Sequence, residues 1–471
     1  MTKTITKLGL GVLLVSITAL SGCSQPDNAQ LIRVEASEQI TEALQARIQG
    51  DASGACLAAA RVSRTATGAL QSERGFYCAA SDEHEAITLP NEHSRYEIGS
   101  VSKVMLGGII AQLQAEGVLH SNQTLAEWAP EGIEVPQVGE QPILLRHMLT
   151  HTSGLPRLPI LLAPEDVNDP YADFTAEALW QSLAQAELEG EPGEQFGYSN
   201  FAYMLLSMIA SEASGKPLDE LYTQYLYEPL GMNTASFVGE TMQPRSADGK
   251  PVVNWNFPMN MQGVGGVRAS LVDMEAWLAG HLGAGPESLA AALAVSQEPL
   301  AQVAEGKYGW GWMYATVGER EYLMHGGGTI GFTTVVVIDA EQQTASVVMS
   351  NAALYQTGDI QRLGIHLLDA NTPPGTPYIL AAMPSTVALA DYEGVYPLFP
   401  GFSIRVFAED SKLMIQGTNQ PAAEVFYKET DVFENAMFGA RFVFERDAEG
   451  EVIALTLYQA GQELRGEREA P

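Results

Sequence analysis

The placement of strand-forming segments limits the fold most. The segment from Cys56 to Cys78 reads as two strands about a turn near Thr67 and Gly68. Further runs, "YGWGWMYATV", "TTVVVIDA" and "TASVVMSN", come only between Tyr308 and Asn351. From Ser102 to about Leu300 helical patterns dominate, broken at Pro130, Pro142, Pro192 and Gly231. Strands so far apart need partners to bury a face. One economical arrangement is a single sheet built from both ends of this region, with a helical insertion. Upstream, apolar residues recurring at three and four predict a helix over Leu31 to Ile48.

A second boundary follows. "DANTPPGTPY" and "MPSTVALA" are rich in breakers, and beyond Asp391 the chain turns to short alternating runs such as "FSIRVFAE", "RFVFERD" and "VIALTLYQ". That is the signature of a small all-β domain, sandwich or barrel. The expected organisation of the 471 residues is a signal segment over 1–22, a tether and helix start over 23–50, a main α/β (α+β) domain over 51–372, a linker over 373–388 and the β domain over 389–471.

Lys3 and Lys7 precede an apolar run from Leu8 to Leu20, too short for a comfortable membrane span, and "LSGC" ends at Cys23. This resembles a bacterial lipobox, in which the cysteine becomes a lipidated first residue; an ordinary signal peptide with a chance cysteine is the alternative. Ser24 is not an aspartate that would suggest inner-membrane retention, so the expectation is a lipid-anchored, periplasm-facing protein of the outer membrane. Folding the hairpin at Thr67 and Gly68 puts Cys56 opposite Cys78, and a cross-strand disulfide is predicted there, against the alternative of two buried thiols. The formal net charge of -32 repels phosphate backbones, which argues against a nucleic-acid partner.

The chemistry-bearing candidate is "YEIGSVSKVMLGG", Tyr96 to Gly108, with Ser100 three residues before Lys103. Taken alone, an N-capping serine and an exposed lysine would explain it. Yet the following run is apolar enough to be buried, which places the serine at the first turn of a buried helix and the lysine one turn on along the same face. Burial disfavours the charged amine, and a neutral lysine can take the serine proton. "EPGEQFGYSN" adds Tyr198 and Asn200 before another helix. Tyr198 is expected to move protons, with its phenol lowered by the lysine, and Asn200 to hold a substrate carbonyl. "MHGGGTIGF" supplies His325, Gly327 and Gly328. The Gly328 amide is expected to join that of Ser100 in an oxyanion hole.

In this order, S-x-x-K, Y-x-N and H-x-G resemble the serine beta-lactamase-related family, which includes class C beta-lactamases, DD-carboxypeptidases, D-aminopeptidases and certain esterases. "ILLRHMLTHTSGLP", "YLYEPLGMNTASF" and "GVGGVRASLVDMEAWLAG" extend the likeness over roughly Ala52 to Asp369. The resemblance implies an antiparallel sheet flanked by helices beside an all-helical region, with Ser100 as acylated nucleophile, Lys103 and Tyr198 sharing proton transfer, and Asn200, His325 and Gly327 contacting substrate. It also implies that the C-terminal piece is the barrel-like domain appended to many of these hydrolases. Class C enzymes normally carry lysine where His325 stands, which disfavours efficient beta-lactam hydrolysis, so the expectation is a peptidase, esterase or beta-lactamase with amide or ester substrates, including D-amino-acid peptides, ahead of beta-lactams. A penicillin-binding or sensor-like protein, acylated without efficient turnover, is the other expectation.

Other candidates have structural readings. His147 and His151, four apart, lack an H-E-x-x-H pattern and are read as structural rather than zinc ligands; His84 and His93 are read as surface residues. No G-x-S-x-G, Walker or dinucleotide fingerprint occurs, and no cofactor or metal is expected.

Overall fold

The computed structural model describes residues 31–469, apart from 35, 50, 52, 80–88, 247–248, 354–359, 376–382, 400, 410, 419, 421, 436–439 and 460–461. The signal segment, Cys23 and His84 lie outside the described residues.

Nine strands form the main sheet in the order β1-β3-β2-β11-β10-β9-β8-β7-β6. These are β1 (Leu31–Val34), β2 (Cys56–Arg64), β3 (Leu70–Cys78), β6 (Ala301–Val303), β7 (Gly306–Tyr308), β8 (Met313–Val317), β9 (Arg320–Gly328), β10 (Thr333–Asp339) and β11 (Thr344–Ser350). The early hairpin joins the late strands where β2 pairs antiparallel with β11, Leu57 opposite Ser350. The sheet is therefore made from both ends of the domain. A separate two-stranded ribbon pairs β4 (Arg95–Glu97) with β5 (Arg268–Ser270). Cys56 faces Cys78 in the β2–β3 register, and the two are joined in a disulfide with Cα atoms 4.0 Å apart.

The expected helix over Leu31 to Ile48 is two elements. Leu31–Val34 runs parallel to β3, with Leu31 opposite Leu70, and only α1 (Glu38–Ile48) is helical. Ser37 makes the break: its hydroxyl accepts the Ile40 N–H as N-cap, while its own N–H donates to the Arg74 carbonyl of β3. The edge of β3 thus captures the residues upstream. Among the described residues, this pairing is also the one parallel contact in a sheet otherwise antiparallel.

Helices cover both faces of the sheet, which explains the unbroken apolar strands. Along β10, Val335 and Val337 pack in one layer with Ile40 and Leu44 of α1 and with Leu363 of α10 (Ile360–Leu368). Val336 and Ile338 point to the other side, into the large core shared with α2 (Val101–Ala115), α5 (Asn200–Ser214) and α8 (Leu271–His281). The remaining helices are α3 (Leu145–Leu149), α4 (Ala176–Ala184), α6 (Leu218–Tyr222), α7 (Glu228–Leu230) and α9 (Glu287–Ser296). One buried carboxylate ties this layer to the sheet. Glu275 of α8 accepts from Ser72 Oγ at 2.7 Å, from Arg74 Nε at 3.0 Å and Nη2 at 2.7 Å, and from Arg33 Nε at 3.1 Å.

The C-terminal domain is an eight-stranded meander, β12 (Gly394–Phe399) to β19 (Gln462–Glu467) in sequence order. Alternation along "FSIRVFAE" puts Ile404 and Val406 inside with Tyr396, Phe433, Phe442 and Phe444, and leaves Arg405 outside. Its end returns to its beginning: the Glu469 N–H donates to the Val395 carbonyl at 2.9 Å, so the sheet curls into a nearly closed barrel.

Candidate active site

Ser100 sits on a turn between β4 and α2, immediately before the helix begins. Gly99 makes that turn with φ of +51°, and a Cβ there would lie 2.6 Å from the Gly328 nitrogen. Gly327 is equally constrained: a Cβ would collide with the Ile98 carbonyl and lie 3.1 Å from the Ser100 nitrogen. The missing side chains let the end of β9 lie against the serine turn, bringing the amides of Ser100 and Gly328 together.

Behind the serine, Lys103 is fully buried on the first turn of α2. Its Nζ is 2.9 Å from Ser100 Oγ and donates to the Val264 carbonyl at 2.5 Å. Burial holds its amine well below the usual lysine range, and the guanidinium of Arg157 pushes it further the same way. Tyr198 shares a hydrogen bond with the Ser100 hydroxyl, and Lys103 Nζ lies 5.2 Å from the centre of its ring. Here the sequence expectation is corrected. Tyr198 is pushed up to about 12 by burial, against the opposing pull of its Ser100 hydrogen bond and Arg157, and Lys103 does not lower it. The phenol titrates above the range in which the desolvated amine keeps its proton, so no lysine charge is left there to stabilise a phenolate.

His151 stacks on Tyr198 with ring centres 4.2 Å apart. Its Nδ1 accepts the Ser199 N–H at 3.1 Å, which fixes both ring and loop. His147 instead accepts the Leu144 N–H at 3.2 Å. His151 lies past the end of α3 with φ of +57°, so the pair does not share a helix face. His93 is exposed.

His325, on β9, is buried. Its Nδ1–H donates to the Gly326 carbonyl at 2.7 Å, and burial, with the neighbouring Lys103, drops its imidazole to about 3. The ring is therefore neutral, with Nε2 as a buried acceptor without a protein partner among the described residues. Asn200 donates one Nδ2–H to the Tyr171 hydroxyl at 3.2 Å, and its Oδ1 has no protein partner among the described residues. The second Nδ2–H and the Oδ1 acceptor both stay available at the cleft.

Ser100, Tyr198, Asn200, His325, Gly327 and Gly328 line one cleft of about 630 Å³, with Lys103 beneath its floor. Further residues complete it, none of them singled out from the sequence, although Arg157 and Tyr171 fall in the loop "RLPILLAPEDVNDPYADF", where specificity was expected to lie. Tyr171, Trp255 and Phe257 form an aromatic wall, Tyr171 stacking on Phe257 at 4.8 Å and meeting Trp255 edge-on at 5.5 Å. Arg157 sits at the mouth, its guanidinium 5.2 Å from the Tyr198 ring centre. The arginine follows directly on "HTSGLP" and so was within sight; the aromatics carried no local signal.

The Beta-lactamase family model matches residues 45–369. D-alanyl-D-alanine-carboxypeptidase/endopeptidase AmpH of Escherichia coli (strain K12) is 31% identical over 203 residues, 41% of this chain and 50% of that protein, so the chain spans about half the length of that relative. Penicillin-binding protein 4* of Bacillus subtilis (strain 168) is 24% identical over 409 residues, 79% of this chain and 87% of that protein. The crystal structure of a Beta-lactamase/D-alanine carboxypeptidase from Yersinia pestis complexed with citrate has the same fold, with a TM-score of 0.58 and 24% identity over 71% of this chain and 97% of that one. With two thirds of its length matched by the family model and the family's fold around the serine cleft, this chain belongs to the beta-lactamase family.

Proposed function

We propose that this protein is a serine hydrolase that forms an acyl-enzyme at Ser100 and cleaves amide or ester substrates of the peptidase and esterase type, with D-amino-acid peptides the favoured class. The observation that carries the reading is the contact of Ser100 Oγ with a buried amine, 2.9 Å away, and with the Tyr198 phenol. With the amine neutral, the contact runs from Oγ–H to the nitrogen lone pair. Lys103 then accepts the serine proton as Oγ attacks the substrate carbonyl. The carbonyl oxygen gathers charge beside the Ser100 and Gly328 amides. Tyr198, still a phenol at neutral pH, passes a proton to the leaving nitrogen or oxygen and regains one from the Lys103 ammonium. Water then cleaves the ester, its proton passing to the same amine while Oγ leaves as the hydroxyl.

Two things favour peptides over beta-lactams. The imidazole of His325 brings no charge where class C enzymes place a lysine, and one relative bears the name of a D-alanyl-D-alanine carboxypeptidase/endopeptidase. The test is covalent labelling. A fluorophosphonate should add one adduct to the wild-type protein and none to Ser100→Ala, read by intact mass. Labelling that survives Ser100→Ala undiminished overturns the proposal. An acyl group from a peptide or penicillin that persists for hours identifies an acylated protein with poor turnover instead.

The location we propose, lipid-anchored and periplasm-facing in the outer membrane, rests on the segment from Lys3 to Cys23. Expression in a Gram-negative host with an alkyne fatty acid should label the wild type and leave Cys23→Ser unlabelled and released by osmotic shock. Equal labelling of both would refute the anchor.

A further inference from the structure

Among the described residues that line the cleft, one side chain is charged, Arg157. Among the described residues, no ion pair involves it. The two other basic groups beside the serine, His325 and Lys103, supply no cation to the opening. The His325 ring is buried on β9, and burial, with Lys103 nearby, keeps it neutral against the opposite pull of the Gly326 carbonyl on its Nδ1–H. The amine of Lys103 is fully buried beneath the serine and occupied with Oγ and the Val264 carbonyl.

Arg157 is exposed at the mouth, yet its backbone is fixed. Its carbonyl accepts the N–H of Asn200 at 2.9 Å and of Phe201 at 3.3 Å, the first two residues of α5. That clamp sets the side chain over the Tyr198 ring, 5.2 Å from its centre, where stacking orients a guanidinium plane. The result is an unpaired fork held in place beside Tyr198 and Asn200, both of which border the reacting serine. On a chain of net charge -32 an anion is repelled at long range, so it must be held by a local partner. A planar fork matches a carboxylate bidentately, which a neutral imidazole cannot do.

We propose that Arg157 is the specificity-determining anchor for a free carboxylate on the substrate, taking over at a different place in the cleft the charge that His325 does not provide. This rests on the serine-hydrolase reading above. The preferred substrate is then an acyl peptide or ester that carries a carboxylate next to the scissile bond, and capping that carboxylate removes most of the preference.

The test compares acetylated D-alanyl-D-alanine with its C-terminal carboxamide on wild type, Arg157→Gln and Arg157→Lys. The matched pair matters because Arg157 also depresses the Lys103 amine, an effect common to both peptides that cancels in their ratio. The wild type should favour the carboxylate in kcat/KM by about 10-fold to 100-fold, most of it in KM. Arg157→Gln should bring that ratio to within about 3-fold of unity, and Arg157→Lys should restore part of it. A neutral fluorophosphonate labels Ser100 in all three proteins if the site is folded and the hydrolase reading holds. Labelling without any wild-type preference for the carboxylate, with cleavage of neither peptide, or with a ratio unchanged in Arg157→Gln, overturns the anchor and leaves the hydrolase standing. No labelling in the wild type sinks the hydrolase reading and the anchor with it.

Discussion

Lys103→Met is expected to cost about 10³-fold to 10⁴-fold in kcat while making the protein more stable. The two effects share one cause. Lys103 is buried completely, and it is held there as an amine whose charged form is disfavoured, chiefly by burial. An apolar side chain of similar length fills the same space without that penalty. Replacing buried charged groups with packed apolar ones has stabilised other proteins by about 1–4 kcal/mol, and the gain here is of that order. The sign of the pH dependence follows. The folded pKa lies below the unfolded one, so between the two the unfolded chain binds the extra proton. Wild-type stability therefore rises with pH through that window, and the advantage of methionine shrinks as pH climbs from neutral toward the unfolded lysine value of about 10.4. Catalysis needs the neutral amine, so kcat/KM should rise with pH through the Lys103 titration. The phenol of Tyr198, up at about 12, adds no descending limb near neutral pH. Thermal unfolding of both proteins at several pH values, alongside initial rates, checks all of this. A variant that is less stable at every pH, or that retains wild-type turnover, refutes the assignment of Lys103 as a strained, neutral base.

Glu275→Ala should destabilise the main domain by about 3–5 kcal/mol. The carboxylate is fully buried and binds Ser72, Arg74 and Arg33, which lie on β3 and β1, from its place on α8. Among the described residues, truncation leaves the buried Arg74 guanidinium with only Glu92, 3.8 Å away and half-exposed, as an ionic partner. The loss is thus mainly that of an uncompensated buried cation rather than of packed methylenes. Urea unfolding, followed by a probe specific to the main domain, gives the number. Glu275→Gln keeps the shape and should fall between wild type and alanine. A shift under about 1 kcal/mol for alanine would mean that Arg74 finds other partners and that this cluster does not hold helix to sheet.

What the sequence revealed depended on whether the deciding interactions were local. "TTVVVIDA" was legible as a strand because both faces of β10 are covered, so no polar alternation interrupts it. The Cys56–Cys78 hairpin was legible because turn and register are set within the hairpin itself. Leu31–Val34 was misread because a few apolar residues before a helix carry no period of their own. Their strand character comes from the free edge of β3, which the local pattern does not contain. At the site, the three-residue spacing of Ser100 and Lys103 sits within one helical turn and was readable. The direction of the Tyr198 shift was not, since burial there is created by His151, Arg157 and the rest of the cleft wall, brought in from elsewhere. Trp255 and Phe257 escaped notice for the same reason. Nothing beside them in the sequence marks them as neighbours of Ser100.

The seam between β2 and β11 also sets an order of events at the ribosome. The hairpin of β2 and β3 is synthesised early, but the register that seats Leu57 against Ser350 has no second strand until the far end of the domain emerges. Until then one backbone edge of β2 stands open, and a nascent chain stopped short of β11 holds two half-sheets with nothing to zip them together.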